Sequence, residues 1–283
     1  MNLAALLALG AGLSWGVGDF VGGRESRRLG AGAVVMWSQL ISGLVLWCSL
    51  ALLLDTTPSG TTVGWALIAG VCGGTALAMF YRALAIGAMS LVAPVAASGV
   101  AIPVMVSIVI GELPTALVAA GIAVTAVAVV LVSLPPTGQQ HVRMSREVLV
   151  LSLGAAVGFA GFLTCMDQAS VGGTGHALWA VAFSRCGSLA VVVPFAIRVS
   201  RGLPRLRGRW LPVAAAGLLD TAANVLYALA TTTGVLAVVA VLASLYSLAT
   251  VVLARIVLGE QMSRGQMAGV AGAVAGVALI ATG

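Results

Sequence analysis

The chain of 283 residues contains no lysine, only two histidines and few charged residues of any kind. Charged residues make up 8% of the sequence, hydrophobic residues make up 60%, and the mean hydropathy is +1.13. A soluble protein of this length could not cover its surface with so few polar groups. The four cysteines lie inside apolar runs, without paired spacing and without a neighbouring histidine, so they indicate neither a disulfide framework nor a zinc site. These absences predict a polytopic membrane protein.

Motifs for catalysis and for ATP hydrolysis are also missing from the sequence. There is no P-loop, no metal-site spacing of His, Asp or Glu, and no Ser/His/Asp set. The run Gly16-Val17-Gly18-Asp19 matches the GxGD pattern of intramembrane aspartyl proteases, but those enzymes need a second aspartate directly after a tyrosine, and no tyrosine here precedes an aspartate. We therefore expect no enzyme activity, no ATP-driven pumping, no metal and no cofactor.

Long apolar runs divide the chain into ten predicted membrane spans, because a bilayer core of about 30 Å needs roughly 20 apolar residues per helix. The first run has no basic n-region and no convincing cleavage site, so we interpret it as a retained span rather than a signal peptide. The predicted spans are residues 3–21, 31–54, 63–81, 90–110, 115–134, 148–166, 176–198, 211–230, 235–258 and 265–282.

The two halves of the chain resemble each other, which predicts a five-helix repeat at residues 1–134, a linker at 135–147 and a second five-helix repeat at 148–283. The first span of each half carries a GxxxG face on which helices can approach closely. The matched positions are Gly12, Trp15 and Gly16 with Gly154, Val157 and Gly158; Gln39 with Arg185; Gly74 with Asp220; Tyr81 with Tyr227; and Gly111-Glu112 with Gly259-Glu260. Because each unit has an odd number of spans, the second unit must cross the membrane in the opposite orientation.

The arginines support this inverted arrangement independently. Apart from Arg185, deep in the seventh span, and Arg255, near the end of the ninth, they occur in the gaps after spans one, three, five, seven and nine, and the gaps after the even-numbered spans have none. By the positive-inside rule the odd gaps are cytoplasmic and both termini face outward. The same rule explains the net charge of +6 without a nucleic-acid partner. Inverted repeats are the architecture of secondary transporters, in which two pseudo-symmetric halves open a midplane site to each side in turn.

The sequence also resembles a family, the ten-helix EamA-type branch of the drug/metabolite transporter superfamily. The resemblance rests on the two Gly-Glu pairs that end apolar helices, on Trp15-Gly16, on Tyr81-Arg82-Ala83-Leu84 and on Ala243-Ser244-Leu245-Tyr246. It covers nearly the whole chain and implies ten helices around a central cavity, with export of a small solute. Two features depart from the family pattern. Gly99 and Ser247 stand where a proline is usual, and the family is commonly drawn with cytoplasmic termini.

Two charged residues lie deep in predicted spans and are the strongest candidates for the site. Arg185 is about nine residues into the seventh span and Asp220 about nine into the eighth, so both reach a similar depth at ~1.5 Å per residue. In the functional interpretation Arg185 recognises an anionic group or gates the cavity, and Asp220 binds a cationic group or a coupling proton. In the alternative, the two form a buried ion pair that only fixes the helices. Gln39 is the repeat counterpart of Arg185, and Asn224 lies one turn after Asp220.

The remaining candidates have a structural alternative as well. Asp19 is expected at the cytoplasmic end of the first span, where it would stay hydrated. Trp15, Trp37 and Tyr246 are candidates for cavity lining, although aromatic residues at membrane interfaces are common. Glu112 and Glu260 lie between two helices, which favours capping of the following helix over proton coupling.

From these observations we predict an all-α integral membrane protein that acts as a secondary transporter, exporting a small organic metabolite or drug-like solute. The expected partners are that solute, protons as a coupling ion and the lipid bilayer, and a monomer is compatible with the sequence. The Arg-only, Ala/Val/Gly-rich composition indicates a bacterial inner membrane protein. The alternative is a lipid- or lipid-linked-sugar-translocating or non-transporting membrane subunit, with a basic mouth at residues 205–209.

Overall fold

The computed structural model describes residues 3–53, 56–111, 114–133, 145–259 and 264–282, and these residues form helices without any strand. A 3-10 turn at Ser98–Val100 joins α4 and α5 into one interrupted span, and α10 and α11 form a second one. The predicted all-α fold with ten spans is therefore confirmed. The helices are α1 Leu3–Leu29, α2 Ala31–Leu53, α3 Gly60–Ile86, α4 Met89–Ala97, α5 Ala101–Val109, α6 Ala116–Ser133, α7 Arg146–Ala169, α8 Thr174–Ser200, α9 Trp210–Thr231, α10 Leu236–Ser244, α11 Tyr246–Leu258 and α12 Arg264–Thr282.

Eight of the described spans are long and apolar enough to cross a membrane, and α6 and α12 contain shorter apolar stretches. Large apolar side chains such as Leu52, Val109 and Ile256 point outward and are more than two-thirds exposed. Lipid can accept such side chains, whereas backbone polar groups must be satisfied within each helix. The exposed apolar surface therefore belongs against the acyl chains of the bilayer.

Helix α1 is longer than the sequence pattern predicted, and this changes the position of Asp19. The predicted first span ended at residue 21, but the helix continues through Glu25 and ends at Leu29, before Gly30 with its positive φ of 84°. Glycine is favoured there because other residues meet steric strain at positive φ. Asp19 therefore lies ten residues before the helix end, and it is 5% exposed rather than hydrated as expected.

The helices of the two halves pack against each other in equivalent pairs. Helix α1 packs on α9, and its counterpart α7 packs on α3. The pair of α2 with α9 is matched by α8 with α3, while α2 with α8 and α6 with α12 are pairs of counterparts. Tyr81 donates to the Gly18 carbonyl at 3.4 Å, and Tyr227 donates to the Leu163 carbonyl at 3.2 Å, so each half repeats the same bond. The packing therefore carries the two-fold pseudo-symmetry that the sequence predicted.

Contacts along the helices give the relative orientation of the halves. Helix α1 runs parallel to α3, since Gly18 contacts Tyr81 while Arg27 contacts Gly87. Helix α3 runs antiparallel to α7, since Gly158 contacts Cys72 while Gly154 contacts Met79. The first helices of the two halves, α1 and α7, therefore run in opposite directions, which makes the repeats inverted.

The two GxxxG faces of the first helices contact different partners. Gly12 and Gly16 face the interrupted span of α10 and α11, where a Cβ at Gly12 would lie 2.9 Å from the Ala243 carbonyl oxygen. Gly154 and Gly158 instead face α3. The residues of α1 that pack on the equivalent helix α9 are Gly10, Ser14 and Gly18. The packing therefore pairs Gly10 with Gly154, whereas the sequence motifs pair Gly12 with Gly154. The two alignments differ by two residues.

The Gly-Glu pairs have a backbone explanation for their glycine. Gly111 and Gly259 both adopt positive φ, 89° and 70°, and each stands directly after its interrupted span. Their N-H groups close the last turn, with Gly259 donating to Arg255 at 3.1 Å. Glu112, Glu260 and most of the predicted linker lie outside the described residues. Ser145 caps α7, which begins at Arg146, two residues before the predicted span.

Candidate functional site

A cavity lies at the middle of the helices, in a region with about 730 Å³ of space free of protein atoms that includes open solvent. It is lined by four spans of each half, namely α1, α2, α3 and the α4–α5 span with α7, α8, α9 and the α10–α11 span. The lining residues stand near the centres of their helices, as Arg185 does in α8. Helices α6 and α12 contribute no lining residue among those described. The cavity is therefore lined by both repeats near the middle of their helices.

Arg185 and Asp220 form an ion pair in this cavity. The Arg185 Nη1 atom lies 2.7 Å from Asp220 Oδ2, and the two side chains are 3% and 13% exposed. Arg185 also donates to the Gln39 side-chain oxygen and, at 2.9 Å, to the Thr221 hydroxyl. A buried ion pair needs such additional hydrogen bonds, because the desolvation of two charges is costly. The network joins α2, α8 and α9 across the two halves.

Gln39 and Arg185 are repeat counterparts, and they bind each other directly. Both stand on the helices α2 and α8, which pack as a pair of counterparts, so this contact marks the region of the pseudo-two-fold axis. The amide of Gln39 also lies 3.4 Å from Asp220 Oδ2. The repeat counterpart of Asp220 is Gly74, which provides no charge. The polar chemistry at the axis is therefore asymmetric.

Asp19 lines the same cavity and is 5% exposed. The hydroxyl of Tyr81, which donates to the Gly18 carbonyl, lies beside the Asp19 carboxylate, and Asp220 lies close enough for electrostatic repulsion between the two carboxylates. None of the ion pairs of the described residues includes Asp19. The cavity thus brings together two carboxylates and one guanidinium.

Aromatic side chains form much of the cavity wall. Trp15 contacts Tyr227 and Tyr246 with ring centroids 5.7 and 6.4 Å apart, and its indole N-H donates to the Asn224 side-chain oxygen at 2.9 Å. Phe159 contacts Tyr246 at 6.3 Å. The wall therefore offers flat apolar faces beside a few polar groups, which is the composition typical of small-molecule sites.

Three buried polar atoms of the cavity lining have no hydrogen-bond partner among the described residues. They are Arg185 Nε, Ser188 Oγ and Tyr246 Oη. Buried polar atoms are normally paired, and an unpaired one in a native structure requires an explanation such as a solute or water. These atoms can bind a polar group inside the cavity.

Both interrupted spans break next to the cavity. Ala97 and Val100 line it on the first side of the pseudo-axis, and Ser244 and Tyr246 line it on the other. Gly99 lies inside the first break, where an added Cβ would meet the Ala156 carbonyl oxygen at 2.0 Å. Interrupted spans at the repeat interface are characteristic of binding sites in secondary transporters. The backbone stays right-handed helical at both breaks, so each is a local tightening of its span rather than an unwound segment.

Most of the residues singled out from the sequence lie in the cavity, and Trp37 does not. Its indole N-H donates to the Pro204 carbonyl at 2.8 Å, in the segment between α8 and α9. The proposed lining role of Trp37 is therefore wrong, since an indole at this helix end reaches the loop more readily than the centre. The cavity residues found from the sequence are Arg185, Asp220, Asn224, Asp19, Gln39, Trp15 and Tyr246.

The sequence interpretation overlooked the aromatic residues Phe159 and Phe162 of α7 and the serines Ser188 and Ser244. The packing match of α1 with α7 places Phe159 at the position of Trp15, because Gly10 corresponds to Gly154. A match shifted by two residues pairs Trp15 with Val157 instead. Ser188 stands three residues after Arg185 and so shares its helix face.

Contacts near both ends of the cavity join the two halves. On the side with the arginine-rich segments, Glu25 of α1 binds Arg209 before α9, with Nη2 2.7 Å from Oε1 and a second bond from Nε to Oε2. This contact raises the pKa of the Arg209 guanidinium, so the arginine stays charged. On the opposite side, the Trp179 indole N-H donates to the Thr56 carbonyl at 2.7 Å.

Residues 147–282, which cover the second half of the chain, match the sequence profile of the EamA-like transporter family. Over those residues the chain belongs to the EamA-like transporter family. The EamA-like half contributes Arg185, Asp220 and Asn224 to the cavity. The chain is thus a multi-pass membrane protein of a transporter family for small solutes.

Solved structures share the fold of this EamA-like protein. Among 24 matching chains, one that is titled only "Crystal structure of protein" has a TM-score of 0.76 and 16% sequence identity, with 98% of each chain covered. Such low identity shows the fold alone. Among curated proteins, none matches the chain significantly in sequence.

Proposed function

We propose that this protein is a secondary transporter that exports a small organic metabolite or drug-like solute by alternating access around the central cavity. The observation that carries the proposal is a mid-helix cavity lined by equivalent spans of two inverted repeats, with both interrupted spans beside it. Two pseudo-symmetric halves can exchange conformations and expose the same site to each side in turn. The direction of export and the bacterial inner membrane rest on the family resemblance and the composition.

Alternating access requires contacts on each side that close and open in turn. The Glu25–Arg209 pair joins the halves on the arginine-rich side, and the Trp179–Thr56 bond joins them on the other. Both contacts are formed in this structure, so opening to either side requires the loss of one of them. The engagement of Arg209 by Glu25 also weakens the alternative of a free basic mouth for lipid headgroups.

A leucine in the cavity is expected to obstruct transport. Ala97→Leu adds three carbon atoms to the lining beside the interrupted span, and we expect the export rate to fall by about tenfold, which corresponds to ~1.4 kcal/mol of barrier. The measurement compares metabolites in the medium and cytoplasm of cells that produce the protein or carry an empty vector. The solute that accumulates in the medium with the wild type identifies the substrate.

The matched control is Ala123→Leu, the same change at an exposed position of α6 outside the cavity. This variant should export at the wild-type rate. If Ala97→Leu reaches the wild-type protein level and also exports at the wild-type rate, the cavity is not the transport route. A solute that accumulates inside the cells rather than in the medium would reverse the proposed direction.

The distribution of arginines predicts that both termini face outward. We expect alkaline phosphatase fused after the C-terminus to be active in cells, because that enzyme requires the oxidising periplasm. A green fluorescent protein fused at the same position should be dark when exported in the unfolded form. The opposite pattern would place the termini in the cytoplasm, as the family is usually drawn.

A further inference from the structure

The charges in the cavity do not balance. Asp220 and Arg185 neutralise each other at 2.7 Å, which leaves the carboxylate of Asp19 without a cation among the described residues. The groups that face Asp19 are the Tyr81 hydroxyl from α3, the Asp220 carboxylate from α9 and the Tyr246 hydroxyl from α11. The Tyr81 hydroxyl donates to the Gly18 carbonyl and a hydroxyl cannot cancel a full negative charge, while Asp220 adds repulsion. An ionised carboxylate in such surroundings must gain a positive partner.

Arg185 is not available as a positive partner for an anionic solute. Its charge is compensated by Asp220 at 2.7 Å, and three of its five N-H groups bind Asp220, Gln39 and Thr221, while Nε has no partner among the described residues. An anion would therefore face an excess of negative charge in the cavity. A cation would gain from Asp19 and from the adjacent aromatic faces of Trp15 and Tyr246, since cations are attracted to aromatic faces.

We propose that Asp19 is the cation-binding group of the cavity, at which a proton and the protonated amine of an amphipathic organic solute compete. The apolar body of the amine lies against Trp15, Phe159 and Tyr246, while Ser188 Oγ and Arg185 Nε offer hydrogen bonds to a further polar group. The inference rests on the proposed transport function and names its substrate class. Competition at one carboxylate couples amine movement to proton movement in the opposite direction.

Three probes of similar size separate the charge requirement from the apolar one. They are 2-phenylethylamine, 2-phenylethanol and phenylacetate, which are cationic, neutral and anionic at pH 8. A ligand that binds only the folded state raises the melting temperature. The amine should raise the melting temperature of the purified protein in detergent, whereas the alcohol and the anion should leave it nearly unchanged. The apparent Kd of the amine should increase by up to about tenfold per unit of pH decrease once a proton occupies Asp19.

Substitutions at Asp19 test whether this residue causes the amine-dependent rise in melting temperature. Asp19→Asn should abolish the amine-dependent rise and its pH dependence, and Asp19→Glu should retain both because the carboxylate remains. Asp167→Asn is the matched control, since it makes the same change in α7 outside the cavity lining, and it should behave as the wild type.

Each result decides the proposal without a transport measurement. A rise with phenylacetate, or an amine effect that persists in Asp19→Asn, would overturn it. If the amine does not bind at any pH but Asp19→Asn removes proton uptake measured in unbuffered detergent solution, Asp19 binds protons alone and the amine class is wrong. If Ala97→Leu exports at the wild-type rate, the cavity is not the transport route. The result for amine binding at Asp19 still stands in that case.

Discussion

Replacement of Asp220 by alanine is expected to remove most of the folded protein from the membrane. The Arg185 side chain is 3% exposed, and without Asp220 its charge would remain buried and uncompensated. Loss of one partner of a buried ion pair costs about 3–5 kcal/mol, which is a large fraction of the ~5–15 kcal/mol that stabilises a typical domain. Protein level in isolated membranes and melting temperature in detergent measure the effect.

The control for this change is Glu147→Ala, which breaks the ion pair between Glu147 and Arg82. That pair joins side chains that are 56% and 59% exposed, at 3.3 Å, so its loss should cost no more than ~1 kcal/mol. The comparison holds the type of bond constant and changes the burial. Equal losses in the two variants would contradict the assignment of a desolvated pair at Asp220.

Removal of both charges separates folding from transport. The double replacement of Arg185 and Asp220 by leucine leaves no uncompensated charge, so it should recover much of the protein level that Asp220→Ala loses. If the pair also contacts the solute, the recovered protein should still fail to transport. If Asp220→Ala retains the wild-type level and melting temperature, the bonds of Arg185 to Gln39 and Thr221 suffice, and the pair has no structural role.

The pairing of Arg185 with Asp220 could be predicted from the sequence because depth follows directly from helix length. Two charges at equal depth in adjacent spans of opposite direction have few alternatives to pairing. The ten spans were predictable for the same reason, since apolar length alone sets them. The burial of Asp19 was not predictable in this way, because depth along the helix does not show which neighbouring helices cover a side chain.

The sequence marks one of the two helix interruptions but not the other. Pro94 and Pro103 flank the break between α4 and α5, but the break at Leu245 between α10 and α11 has no proline. Here the close approach of Gly12 to the Ala243 carbonyl belongs to the tertiary packing, which no local pattern reports. The register of the repeats was ambiguous as well, because α1 carries small residues on two faces, and only the partner helix distinguishes them.

Gly70→Ala is expected to disrupt the packing of α3 on α8. A Cβ at Gly70 would lie 2.0 Å from the Ser184 carbonyl oxygen and 2.8 Å from the Ser188 nitrogen, so it would meet backbone rather than a movable side chain. Overpacking of this kind costs ~1–3 kcal/mol, and the rigid backbone of α8 places this site at the upper end. The melting temperature and the protein level should both fall.

Gly64→Ala is the control, because it makes the same substitution in α3 at a position with free space. An added Cβ at Gly64 meets nothing within 4 Å, so alanine should stabilise the helix by ~0.5–1 kcal/mol. The two substitutions should therefore shift the melting temperature in opposite directions. Ser184 directly precedes Arg185, so a displacement of α8 at Gly70 also moves the guanidinium relative to Asp220. If folded Gly70→Ala protein binds the amine probe with wild-type affinity, the close α3–α8 contact is not needed to shape the cavity.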